Sequence, residues 1–276
     1  MKQLILLTIL VSALFNASYA KINPTQLTCE YLNNPSVVDV EQPRLSWINI
    51  ADNDERGQEQ TAWQIRVASS KKQLEKSDLW DSKKVVGDQS IRVEYEGKKL
   101  ASRQECFWQV RVWDKNDEVS EWSEPSFWRM GLLEKSDWKA QWIGAPWQGE
   151  QTLARPSERK VHLPEEFPPP APMFRKNFSV EKEIEKAVVF VTGLGYFELF
   201  LNGEKVGDDV LVPNQTNYSK RPSLATEFIP VDDNFREYKV MYLTYDVKEK
   251  LKQGANAIGS IIGNGFYNPS SAWTVG

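Results

Sequence analysis

The chain has very little of the side-chain chemistry on which zinc sites and catalytic triads depend. It contains one histidine, His162, among 276 residues. A histidine pair for zinc is therefore excluded, and a Ser-His-Asp arrangement would have to use a residue that lies in a proline-rich stretch. We predict that His162 is a surface residue and that the chain has no metal site and no cofactor. Calcium binding through oxygen ligands stays open.

Cysteine is also scarce, since only Cys29 and Cys106 are present. Each lies in a predicted strand beside apolar residues, and their spacing is not that of metal ligands. We favour two buried free thiols over a disulfide.

The chain has no excess of positive charge and no phosphate-binding loop. Its 34 basic and 38 acidic residues give a net charge of −4, which argues against a nucleic-acid partner. The Gly193-Leu-Gly and Gly263-Asn-Gly stretches are too short for a dinucleotide fingerprint.

The only long apolar run lies in the first twenty residues. Lys2 precedes an apolar core from Leu4 to Leu10, and Ser18-Tyr19-Ala20 provides small residues at the peptidase positions. We predict a signal peptide over residues 1–20 that is cleaved after Ala20. The alternative is a membrane anchor, although the run is shorter than the ~20 residues of a span. We expect an exported, periplasmic or extracellular chain with no membrane partner after cleavage.

Short alternating strands separated by turn-rich stretches predict an all-β fold. Residues 21–133 are typical of a fibronectin type III-like β-sandwich. Within the strand Phe107–Trp113, Trp108, Val110 and Val112 share the face that we assign to the core. On the opposite face, Arg111 is expected to contact the indole ring of Trp122.

Residues 134–172 form a Trp- and Pro-rich connector, and residues 173–276 predict a jelly-roll β-sandwich. Asn202-Gly203 follows an alternating strand and favours a type I′ hairpin turn. Asp246 is expected to cap a short helix over 247–251, which Gly254 would end. About six strands are assigned where a jelly roll has eight, so we expect a truncated domain, the alternative being a complete one with a miscounted strand.

Polar residues on the predicted loops of the second domain carry groups that hydrogen-bond sugar hydroxyls. The candidate carbohydrate-binding residues are Asn202, Asp208, Asn214, Tyr218 and Asn264. Turn chemistry is the simpler explanation of any single member. The spacing of acidic residues singles out no carboxylate pair for glycoside hydrolysis, and no catalytic residue is predicted.

Several motifs occur together along the chain. They include Pro43-Arg-Leu-Ser-Trp47, Phe107-Trp-Gln-Val-Arg-Val-Trp-Asp114, Trp138-Lys-Ala-Gln-Trp-Ile-Gly144, Thr192-Gly-Leu-Gly-Tyr-Phe-Glu-Leu-Phe-Leu-Asn-Gly203 and Gly263-Asn-Gly-Phe-Tyr267. Together they resemble the N-terminal part of bacterial α-L-rhamnosidases of glycoside hydrolase family 78, over nearly the whole mature chain.

The resemblance implies a fibronectin-like domain, a jelly-roll domain, further β domains and a helical toroid that carries the catalytic acids. Such enzymes hydrolyse terminal α-L-rhamnose from glycosides or pectic side chains with inversion. No toroid is predicted within these 276 residues, so the missing catalytic domain is an expected partner and the polypeptide alone is expected to be inactive. Some relatives carry Gly-Trp where this chain has Asn214-Gln215, which weakens sugar stacking at that loop.

Three hypotheses of function follow from these observations. The first is an exported N-terminal accessory portion of an α-L-rhamnosidase-like enzyme, with a rhamnose-containing oligo- or polysaccharide as a further partner. The second is a stand-alone carbohydrate-binding module, which requires a complete jelly roll. The third is an adhesion- or receptor-like β protein, which rests only on the first domain.

Overall fold

The computed structural model describes residues 22–52, 56–144, 171–216, 240–263 and 265. The chain divides into two compact units, residues 1–138 and 139–276. The predictions for His162, Tyr218, Asn264 and the first twenty residues lie outside the described residues. Among the residues that are described, no helix is long and apolar enough to span a membrane.

The first unit consists of eight described strands, which confirms the predicted all-β fold. They are β1 (Ile22–Cys29), β2 (Arg44–Ala51), β3 (Gln60–Ala68), β4 (Trp80–Asp81), β5 (Val85–Val86), β6 (Val93–Glu94), β7 (Glu105–Asp114) and β8 (Ser126–Arg129). One sheet has the order β1-β2-β6, and the other has the order β4-β3-β7-β8 with β5 also paired to β3. All of these pairs are antiparallel.

The core of this unit lies between the two sheets, and the alternation of β7 supplies its centre. Trp108, Val110 and Val112 are each 0% exposed, as predicted. They pack in one cluster with Leu45 and Trp47 from the opposite sheet. Burial of side chains from both sheets stabilises the sandwich through the hydrophobic effect.

The outer face of the second sheet carries alternating arginine and tryptophan side chains. The guanidinium Cζ of Arg111 lies 4.7 Å from the centroid of the Trp122 ring, which confirms the predicted contact. Arg66 lies 4.5 Å from the same ring. Trp113 contacts both Arg111 and Lys84, at 5.2 and 4.7 Å. Cation–π contacts of this kind each contribute about 0.5–1 kcal/mol when exposed.

Both cysteines are buried free thiols, as predicted. Cys29 ends β1 and Cys106 lies near the start of β7, and both belong to the core cluster of the first unit. Burial raises the pKa of the Cys106 thiol to about 12, and the neighbouring Asp78 and Glu105 add to the shift. Both thiols are therefore kept in the uncharged form.

The second unit contains six described strands. They are β9 (Met173–Val180), β10 (Val188–Val191), β11 (Tyr196–Leu201), β12 (Glu204–Lys205), β13 (Leu243–Asp246) and β14 (Gly254–Gly263). A four-stranded sheet has the order β12-β11-β14-β9, and a separate pair joins β10 to β13. Phe197, Leu199 and Leu201 alternate along β11 and form the buried core with residues of β10 and β13.

The predicted short helix is smaller than expected. A 3₁₀ turn spans Lys248–Lys250, and Val247 rather than Asp246 is its N-cap residue. Asp246 still accepts a 3.0 Å hydrogen bond from the backbone N–H of Lys248. Gly254 begins β14 at φ +90° instead of ending the helix. Short 3₁₀ turns of this length are common as connectors between elements.

Candidate functional site

The β11–β12 turn holds the first candidate residue, Asn202. Asn202 and Gly203 have φ values of +51° and +89°, which confirms the predicted turn with two left-handed residues. The Asn202 side-chain nitrogen donates to the Lys250 carbonyl and to Asn256 Oδ1, both at 2.9 Å. Its side-chain oxygen accepts from the backbone N–H of Ala257, also at 2.9 Å. These bonds tie the turn to the start of β14 and use most of the amide's hydrogen-bonding capacity.

The segment after β12 holds Asp208 and its neighbour Asp209. Both side chains are exposed, and Asp209 accepts a 2.8 Å hydrogen bond from the Tyr245 hydroxyl. Burial raises the pKa of the Tyr245 phenol above its usual value, as do the hydrogen bond to Asp209 and the charges of Asp209 and Asp208. Tyr245 is therefore a neutral donor at physiological pH.

Gly207 allows the chain to pass close to Tyr245. Its φ is +73°, and a Cβ added at this position would lie 2.5 Å from Cε1 of the tyrosine ring. No residue with a Cβ fits at this distance from Tyr245 unless the tyrosine ring moves. The glycine thus sets the position of the two aspartates that follow it.

Asn214 lies beyond the cis peptide bond between Val212 and Pro213. Val212 accepts a 2.8 Å hydrogen bond from the backbone N–H of Phe197 at the start of β11. The side chain of Asn214 is exposed just past this anchor. It is therefore available to a ligand, unlike the amide of Asn202.

Of the candidate residues that the structure describes, Asn202 and Asn214 do not share one site. Asn202 directly follows the last residue of β11, whereas the anchor of the Asn214 segment pairs with Phe197, five residues earlier. A strand rises about 3.4 Å per residue, so the two positions lie roughly 17 Å apart along the sheet. Gly265 packs at the Phe197 end, where an added Cβ would be 3.0 Å from the Gly195 Cα. Gly265, which follows Asn264 in the sequence, and the anchor of the Asn214 segment thus lie at the same end of β11.

The sequence did not identify Asp209 or Tyr245 as a pair. They are separated by 36 residues, and the residues between them include a long stretch without a clear pattern. The available signal was Gly207 directly before two aspartates. Within the described residues, no group of three or more His, Cys, Asp or Glu side chains is arranged to hold a metal ion.

Two family models match the chain. The model described as "Rha78A-like, N-terminal immunoglobulin domain" matches residues 24–134. The model described as "Alpha-L-rhamnosidase N-terminal domain" matches residues 182–229 and 227–275. Both descriptions concern N-terminal domains, and the first agrees with the β-sandwich of the first unit.

The similar α-L-rhamnosidases match over most of this chain but over a small part of their own length. An α-L-rhamnosidase of Formosa agariphila is 39% identical over 250 residues, which cover 87% of this chain and 24% of the relative. An α-L-rhamnosidase of Alteromonas sp. is 37% identical, and the match covers 89% of this chain and 24% of the relative. The solved structure of α-L-rhamnosidase from Dictyoglumus thermophilum superposes with a TM-score of 0.71 at 37% identity. The superposition covers 88% of this chain and 25% of the solved chain. The chain therefore spans about a quarter of the length of these relatives.

Proposed function

The chain belongs to the α-L-rhamnosidase family as an N-terminal region of such an enzyme, and from this premise we propose that its two domains support a separate catalytic domain. The whole-enzyme reaction would be the inverting hydrolysis of terminal α-L-rhamnose from glycosides or pectic side chains. The observation that carries the proposal is that the match covers about a quarter of each relative and that both matching family models describe N-terminal domains. The two domains serve as an accessory portion, and the chemistry resides elsewhere.

We also propose that the chain is exported through its first twenty residues and works in the periplasm or outside the cell. Lys2, the apolar run from Leu4 to Leu10 and the small residues at Ser18 and Ala20 support this. N-terminal sequencing of the protein secreted by an exporting host is expected to begin at Lys21. An intact Met1 in the exported fraction would contradict cleavage.

The absence of catalysis is tested with the purified 276-residue polypeptide and an aryl α-L-rhamnoside. We expect no release of the aryl group above the rate of a blank without protein. Measurable turnover that follows this polypeptide through two purification steps would overturn the proposal.

The supporting role requires a second experiment. The catalytic remainder of the Formosa agariphila relative is produced without its own N-terminal region, and this polypeptide is added. We expect a higher melting temperature and slower loss of activity on heating, because binding to the native state stabilises it. The relative's own N-terminal region is the positive control. If that control stabilises the remainder and this polypeptide does not, the supporting role is wrong for this chain.

A rhamnose-containing saccharide is the proposed ligand of the second unit. The exposed side chains of Asp208 and Asn214 favour it, because neither is committed to a hydrogen bond within the described residues. Calorimetry against L-rhamnose and rhamnogalacturonan oligomers is expected to give heat that Asp208→Ala and Asn214→Ala each reduce. No heat with any of these sugars would remove saccharide binding from the proposal.

A further inference from the structure

The outer face of the first sheet carries exposed isoleucines where a solvated strand would carry polar residues. Alternation along β2 places Leu45 and Trp47 on the core side, at 0% and 2% exposure, so Ile48 and Ile50 lie on the outer side. They are 50% and 49% exposed. An antiparallel sheet with one solvated face normally alternates apolar residues inside with polar residues outside. In the second half of β2 this arrangement is reversed.

The polar residue of the same half of β2 lies on the core side. Asn49 stands between the two isoleucines and donates a 2.9 Å hydrogen bond to Gln60 Oε1. The indole N–H of Trp47 donates to the same oxygen at 3.1 Å, so Asn49 shares the face of Trp47. The strand thus keeps an amide inside, where it needs a partner, and leaves two isoleucines outside. Exposed apolar side chains grouped in this way are typical of a surface that a partner covers.

A third exposed isoleucine lies beside this half of the sheet. Ile91 is 61% exposed and stands between two hydrogen bonds that hold its segment against β2. The backbone N–H of Trp47 donates to the Ser90 carbonyl at 2.9 Å. The backbone N–H of Arg92 donates to Ser46 Oγ at 3.0 Å. We call Ile48, Ile50 and Ile91 together the isoleucine face.

The margin of the isoleucine face is polar. On the β1 side, Thr25 and Asn23 stand opposite the two isoleucines of β2. At the other end of β2, Arg44 forms an ion pair with Glu30. An apolar centre with a polar rim is the usual composition of a protein–protein interface.

The outer face of the other sheet is different, because its aromatic side chains are packed within the unit. Trp122 lies 4.5 Å from the guanidinium of Arg66 and 4.7 Å from that of Arg111. Phe107 and Phe127 stand opposite each other in β7 and β8 and stack with 6.0 Å between their centroids. Of the two outer faces, the isoleucine face is therefore the better candidate for contact with a partner.

We propose that the isoleucine face docks the catalytic remainder of the enzyme, through an apolar and uncharged patch on that partner. This inference rests on the proposed function, since a supporting domain needs a surface through which it acts. The match covers 24% of the Formosa agariphila relative, so the greater part of that enzyme lies outside it. In such a relative the two parts belong to one chain, which gives an effective concentration on the order of millimolar. A second copy of this chain has no such advantage.

The test measures binding of this polypeptide to the catalytic remainder of the Formosa agariphila relative, produced without its own N-terminal region. Sedimentation velocity gives the dissociation constant of the complex and also the self-association of the polypeptide. We expect Ile48→Lys and Ile50→Lys each to weaken binding at least about tenfold, because each would bury an unpaired charge. Val86→Lys is the matched control, since Val86 is 84% exposed and lies in the other sheet. Unchanged binding is expected for this control.

A milder variant keeps the test decisive if a lysine variant does not fold. Ile48→Thr retains the branched Cβ that strands favour and is expected to weaken binding about threefold, the loss of one apolar contact. Circular dichroism and the melting temperature of each variant establish that it is folded before binding is compared.

The outcomes distinguish this inference from the proposed function. If the original polypeptide does not bind while the relative's own N-terminal region does, the supporting role is wrong, and the inference falls with it. If the original binds and the folded isoleucine variants bind as tightly, the inference alone is overturned. In that case, loss of self-association in the variants would assign the isoleucine face to a second copy of this chain.

Discussion

The guanidinium group of Arg111 lies 4.7 Å from the ring of Trp122, and a second guanidinium, that of Arg66, lies 4.5 Å from the same ring. One indole thus holds two like charges near each other. Burial lowers the pKa of Arg111, and the charge of Arg66 lowers it further. Arg111 also donates a 3.0 Å hydrogen bond to Gln64. The indole ring of Trp122 therefore offsets the repulsion between the Arg66 and Arg111 charges, and removing the ring would leave that repulsion uncompensated.

We expect Trp122→Ala to lower the free energy of unfolding of the first unit by roughly 1–2 kcal/mol, the sum of two exposed cation–π contacts. Urea unfolding followed by circular dichroism measures the change. The control is Trp142→Ala, since Trp142 is 60% exposed. Equal unfolding midpoints for the two variants would show that the cation–π contacts contribute nothing measurable.

Gly207 and Gly203 form a natural pair for testing steric constraint in the second unit. Both have positive φ, but an added Cβ meets the Tyr245 ring at 2.5 Å only at Gly207, while nothing lies within 4 Å at Gly203. In each alanine variant, a residue with a Cβ at positive φ lowers the free energy of unfolding by about 1–2 kcal/mol. In Gly207→Ala, the contact with the Tyr245 ring lowers it by about 1–3 kcal/mol more.

The measurement is the melting temperature of each glycine variant, with the original protein as reference. A clearly lower value is expected for Gly207→Ala than for Gly203→Ala. If the two variants have the same melting temperature, the Tyr245 ring moves aside without a cost in stability. The close contact at Gly207 then does not determine the position of the two aspartates that follow it.

The sequence predicted those parts of the fold that long alternation or a specific turn pair encodes. The core face of β7 followed from Trp108, Val110 and Val112, and the hairpin turn followed from Asn202-Gly203. These features are local, so a period of two or a pair of turn residues is sufficient evidence.

The features that were missed depend on contacts distant in sequence. Strands β4 and β5 have two residues each, and two residues cannot show a period. The pairing of these two strands with β3 was therefore not anticipated. The separation of Asn202 from Asn214 was missed because spacing along the chain does not tell which end of a strand a loop returns to. That return is determined by the pairing of Val212 with Phe197.

Glu30 and Arg44 give the first unit an acid-sensitive contact. Glu30 accepts hydrogen bonds from the Arg44 backbone N–H at 2.6 Å and from its Nε at 3.1 Å. The side-chain hydrogen bond to Arg44 holds the pKa of Glu30 below its usual value. A lowered pKa stabilises the folded state above the unfolded value of about 4.3, and this contribution is lost as the pH falls through the folded value.

We expect Glu30→Gln to lower the free energy of unfolding by about 1 kcal/mol at pH 7, a typical value for a partly exposed pair. The difference from the original protein should shrink as the pH falls through the lowered pKa of Glu30. Urea midpoints measured between pH 3 and pH 7 test this, with Glu75→Gln as the control at an exposed position. A difference that persists unchanged at pH 3 would assign the effect to something other than the charge of Glu30.

Cys29 and Cys106 are expected to be unreactive until the first unit opens. Burial raises the pKa of both thiols, that of Cys106 to about 12, so both are held as neutral thiols at pH 8. The thiolate is the nucleophile, and both side chains are at most 1% exposed. An aromatic disulfide reagent is therefore expected to titrate no thiol in the native protein and two per chain in urea. If the urea-unfolded protein yields none until a reductant is added, the two cysteines form a disulfide and the prediction of free thiols is wrong.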